Sequence, residues 1–185
     1  MHYFVWQQDW NRPVDVKDVT MPNGWPRSLV LMGQRIADDV PDLQVLLAKK
    51  TALSDALIIQ WNWLIFSPKL RQILSALTND PIQYIAVVVR QGSQGKQIPG
   101  YQVCNPLVSI QAVDRPQSAL VVHAGTEDIF GIEALVLDQR KIGDGSFFRL
   151  QEYAPALIVR EDVVEGISRS HCTGMQFLPI EEYKR

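Results

Sequence analysis

Apolar positions along the chain change period several times, and each change marks an element. Ile59, Trp61, Trp63 and Ile65 fall on every second position, which puts them on one face of an extended strand. The period then lengthens. Leu70, Ile73, Leu74 and Leu77 follow the i, i+3, i+4, i+7 spacing of a buried helical stripe. Ser67 suits the N-cap of that helix, because its oxygen accepts from an orphan N–H, and Pro68 suits the first helical position, where no N–H is required. Asn79-Asp80-Pro81 ends the helix. Residues 82–90 are apolar on both faces and rich in β-branched side chains, so they are expected to form a central strand covered on both sides.

Further strands are expected at 2–6, 28–32, 101–113, 119–123, 132–137, 147–150, 156–159 and 175–178. The 101–113 stretch is broken at Asn105-Pro106, since proline cannot donate to a ladder. Residues 42–50 suit either a strand or a short helix, and 114–118 suit a turn. A last helix is expected over 161–169. Glu161, Asp162 and Glu165 crowd its N-terminal half, where the helix dipole favours negative charge. Gly174 then sits where the backbone needs a left-handed turn. Most strands follow one another through short turns, which points to an α+β fold: an antiparallel or mixed β-sheet with a few helices packed on it. Length suits a single domain over residues 1–185, with a Trp-rich N-terminal part (1–63) that holds all five tryptophans and a core module (64–178).

Composition narrows the function classes. Lys and Arg number 18 against 20 Asp and Glu, a formal charge of −2, so no global field draws in nucleic acid or an anionic membrane. The most apolar stretch, 56–66, spans 11 residues and contains Gln60 and Asn62, whereas a membrane helix needs about 20. No signal-peptide pattern opens the chain, which is expected to be cytoplasmic with reduced thiols. Phosphate-loop, dinucleotide-binding and nucleophile-elbow motifs do not occur. His2, His123, His171, Cys104 and Cys172 lack metal-ligand spacing. One enzyme reading survives, a small thiol-dependent hydrolase with Cys104 as nucleophile, His123 as base and Asp138 as orienting acid, against a plain packing role for the cysteine.

Binding has more support. Residues 120–165 hold nine acids against four bases, an excess that steers a basic partner if the acids share a face, or is scattered solvated surface if they do not. Glu127, Asp128 and Asp144 are the candidate partner-binding acids. Trp61 and Trp63 read as core, whereas Trp10 and Trp25 flank a proline-rich loop and are expected to be exposed, as candidate anchors for a partner. A regulatory binding module or a homodimer built on the Trp-rich part is a further reading.

One resemblance sharpens this picture. Leu64-Ile65-Phe66-Ser67, residues 82–89, Gly100 to Leu107 with Tyr101 and Asn105, and Val113-Asp114-Arg115 come in that order. They are followed by Ile132 to Asp138, Lys141-Ile142-Gly143-Asp144, Phe147-Phe148-Arg149-Leu150, residues 156–160 and Thr173-Gly174-Met175-Gln176-Phe177. This succession, over about residues 64–178, resembles a bacterial immunity-protein family of polymorphic toxin systems, immunity family eleven, first catalogued as a domain of unknown function. The chain departs from it at Arg160, where a serine is expected, and matches only loosely before residue 60. The resemblance implies an antidote that binds a cognate toxin encoded nearby, with no cofactor and no catalytic residues. Tyr101, Asn105, Asp114, Asp138, Phe148, Arg149, Gly174 and Phe177 match its pattern in what read as structural roles.

Overall fold

The computed structural model describes residues 1–9, 11, 16–37, 39–48, 53–59, 63–92 and 95–185. Trp10 and Trp61 lie outside the described residues. The fold is α+β, with two large mixed sheets and one separate hairpin.

Strands β1 (Tyr3–Gln8), β2 (Val16–Thr20), β3 (Leu43–Leu47), β4 (Ala56–Ile59), β5 (Trp63–Phe66), β6 (Ile82–Gln91), β7 (Gln97–Ile98) and β8 (Gln102–Pro106) are followed by β9 (Ser109–Ile110), β10 (Ala119–Val122), β11 (Ile129–Ala134), β12 (Phe147–Leu150), β13 (Leu157–Arg160) and β14 (Met175–Pro179). The helices are α1 (Arg27–Leu31), α2 (Pro68–Leu77), α3 (Gln139–Ile142) and α4 (Glu161–Arg169). One sheet runs β2-β3-β6-β8-β5-β4, with β7 on β6, and the other runs β14-β1-β13-β12-β9. Parallel pairs β3·β6 and β9·β12 make both sheets mixed.

Alternation along the strands builds three cores. Between the sheets, Phe66, Cys104, Phe147, Leu157 and Val159 pack with Leu70 and Leu74 of α2 and Val163 and Ile167 of α4. The outer face of the larger sheet carries Leu57, Ile59, Trp63, Ile65 and Val103 against Trp25, Val30 and Ile36. The outer face of the smaller sheet carries Tyr3, Val5, Phe148, Leu150 and Ile158 against Ala112, Ile132 and Tyr183. Both large sheets therefore contain strands from the first 63 residues, and β1 is an interior strand of the smaller one, between β14 and β13.

The capping expected of α2 is present: the Ser67 hydroxyl accepts from the Leu70 N–H at 3.2 Å, with Pro68 behind it. Three expectations are corrected, and one helix falls where no element is expected. Residues 28–32, read as a strand, lie mostly in the helix α1, whose Met32 N–H reaches the Ser28 carbonyl at 2.9 Å. The alternation from Ile59 to Ile65 spans the two strands β4 and β5 of a hairpin, in which Ile59 pairs with Trp63 and Leu57 with Ile65. Strand β6 is central, but its second face is only half-buried, at Ile82, Tyr84 and Val88, while Ala86 and Arg90 are exposed. At about 3.3 Å per residue, β6 outruns the layer above it. Finally, α3 occupies a segment not expected to be helical, capped by Asp138, which accepts from the Arg140 N–H at 3.2 Å.

Candidate functional site

The element least absorbed into the cores is the β10–β11 hairpin. Leu120, Ile129 and Ile132 turn inward onto the smaller sheet's outer core. The Ile132 N–H and carbonyl bond the Arg185 carbonyl and N–H at 2.6 and 2.7 Å, which fixes the outer edge of β11. Residues 121–128 are all exposed. Leu120 pairs with Ile132, Val121 with Gly131 and Val122 with Ile129, so Phe130 has no partner across the ladder and sits in a β-bulge. A bulge re-aims its side chain. Phe130 is accordingly 67% exposed, beside Val121 (41%) and Val122 (45%), with its ring 5.0 Å from that of His123. Glycine is required at the next position: a Cβ on Gly131, opposite Val121, would meet the Arg185 carbonyl oxygen at 2.8 Å.

At the tip, Arg115 donates to the Glu127 carboxylate at 3.0 Å and to the Glu127 carbonyl at 2.7 Å, fixing that residue beside the exposed Asp128. Asp114 organises the turn before β10 by accepting from Gln117. The third candidate acid, Asp144, is exposed elsewhere, in the turn after α3, and its carbonyl accepts from Arg160 at 3.0 Å. The acids of 120–165 do not act as one free face. Asp138 pairs with Arg140, Asp162 with Arg160, Glu165 with Arg169 and Glu127 with Arg115. The first two bonds hold the Asp138 and Asp162 carboxyls below their usual range.

Trp25, expected to be exposed, is 5% exposed. Its Nε1 donates to the Pro41 carbonyl at 3.0 Å and its ring lies 4.7 Å from Trp63, so it is a core filler. Phe130 is the aromatic that sequence reading missed. Its parity with Ile132 points it inward, and only the bulge turns it out.

The thiol constellation does not assemble. Cys104 is completely buried between the sheets, and burial pushes its thiol far above the ordinary range, against a smaller opposing effect of Arg149. His123 is exposed on the hairpin, and Asp138 serves as a helix cap. Among the described residues, no group of three or more His, Cys, Asp or Glu is placed to hold a metal ion.

The residues matching the family pattern have identifiable partners. Tyr101 donates its hydroxyl to the Ser54 carbonyl at 2.7 Å, and Asn105 donates to the Gln34 carbonyl at 2.8 Å. Phe148 meets Tyr3 edge-on at 6.1 Å, and Phe177 meets Trp6 edge-on at 5.1 Å. Arg149 is 1% exposed and donates from Nη1 to the Ala154 carbonyl at 3.1 Å, and burial pulls its pKa down to about 10. Gly174 has φ 93°, and a Cβ there would collide with the Ala56 carbonyl oxygen.

A model of the Immunity protein family (Imm11) matches residues 2–182. The chain belongs to this family. The Imm11 match takes in the first 60 residues, where the sequence pattern resembles the family only loosely, and agrees with the placement of β1 and β3 inside the two large sheets. Nothing among curated proteins matches the chain. No described helix is long and apolar enough to cross a membrane.

Proposed function

We propose that this Imm11 protein neutralises a cognate bacterial toxin by stoichiometric protein–protein binding in the cytoplasm, that the toxin is encoded by a neighbouring gene, and that neutralisation involves neither cofactor nor catalysis. Membership of the immunity family, over residues 2–182, is the observation that carries the reading. The state of the candidate nucleophile supports it. A thiol enclosed in core and held protonated is a packing group, since thiolate is the reactive form. An exposed hairpin with an aromatic side chain and acidic tip residues supports it as well, because binding surfaces concentrate such features.

Coexpression tests the proposal. Cells producing the neighbouring gene product should stop growing without this protein, recover with it, and yield the two as a copurifying complex. A neighbour that is harmless alone contradicts it, as does rescue with no complex detectable at micromolar concentration.

A further inference from the structure

Residues 114–134 carry four acids, Asp114, Glu127, Asp128 and Glu133, against one base, Arg115. Their formal sum is −3, while the whole chain carries −2, so the rest of the molecule is slightly positive. Like the stretch that holds Asp38, Asp39 and Asp42, the hairpin is thus an acidic element. That element also bears Phe130, the one aromatic among the exposed large hydrophobic side chains of the described residues. Both residues that fall outside the pairing register of β11, Phe130 and Glu133, are exposed.

We propose, resting on the toxin-binding reading above, that the β10–β11 hairpin is the docking face, and that the toxin meets it with an apolar recess bordered by Lys or Arg. Phe130 enters the recess, flanked by Val121 and Val122, while Asp128, Glu133 and the Glu127 carboxylate face the basic border. Little ordering is left to be done on binding. The bulge and the His123 ring set the direction of Phe130, Arg115 holds Glu127, and the inward side chains of Leu120, Ile129 and Ile132 anchor the hairpin on the core. Preorganised groups of this kind lose less freedom when they dock. The two features act on different rates: charge complementarity speeds encounter, and a buried aromatic anchor slows departure.

Binding kinetics with the purified toxin encoded beside this gene test the proposal. Phe130→Ala should weaken binding at least about thirty-fold, mainly through faster dissociation. The combined Glu127→Gln, Asp128→Asn, Glu133→Gln variant should slow association about tenfold at low salt and flatten its salt dependence, with dissociation little changed. Met32→Ala, at an exposed apolar side chain just after α1, should leave both rates as they are. Thermal midpoints separate lost contact from lost fold, and if Phe130→Ala fails to fold, the charge variant decides. Wild-type binding with the Phe130 and charge variants unchanged overturns the hairpin assignment and leaves toxin binding standing. No binding by the wild-type protein overturns both.

Discussion

Cys104 shows how alternation on a strand disposes of a reactive group. Its position on β8 turns the thiol into the core between the sheets, where burial disfavours the thiolate. With the folded-state pKa raised, the stabilisation is complete below the unfolded thiol's pKa, about 8.5, and declines as pH rises above it. If the folded thiol stays protonated throughout, the loss reaches its upper bound of about 2 kcal/mol by pH 10. Chemical denaturation between pH 8 and 10 should show wild-type stability falling more steeply than that of Cys104→Ala, which is less stable at pH 7 because of the cavity. Equal slopes would mean that the thiol ionises in the folded protein. Legibility in sequence differs residue by residue for the same physical reason. Gly174 is legible, because a left-handed turn is a local backbone demand. Trp25 and Phe130 are not. The burial of Trp25 depends on Trp63 and Pro41, distant in sequence, and the exposure of Phe130 depends on a ladder irregularity that no periodicity reveals.

Elements with strong local signals stand where the chain pattern puts them: α2 between Ser67 and Thr78, β12 at Phe147–Leu150 and α4 at Glu161–Arg169. The exceptions have local causes. In the β4–β5 hairpin, Ile59 faces Trp63 across a connection of three residues, so the side-chain parity of one strand continues into the next and the pair mimics a single strand. One polar link between elements has no signature in the sequence. Asp80, in the connection from α2 to β6, accepts from the Ser146 N–H, the Ser146 hydroxyl and the Phe147 N–H, each at 2.7 Å, and so ties that connection to the start of β12. Asp80→Ala leaves these donors without their charged acceptor and should cost about 2–3 kcal/mol. Urea denaturation measures it, and a change below about 0.5 kcal/mol would show that the staple contributes little.

At the scale of the molecule, the N-terminal third is built into the rest. β1 is paired on both sides, by β13 and β14, and β3 pairs with β2 and β6. Three cores alternate with two sheets, and four of the nine acids that form a block in sequence are tied to neighbouring bases, while Asp128 and Glu133 stay exposed on the hairpin. A molecule arranged in this way is expected to act by occupying its partner, and occupancy has a signature that turnover lacks. Residual activity of the purified toxin, measured against the molar ratio of this protein, should fall linearly to zero at a fixed equivalence point that longer preincubation does not move. Complete neutralisation by a small fraction of an equivalent, progressing with time, would contradict the account.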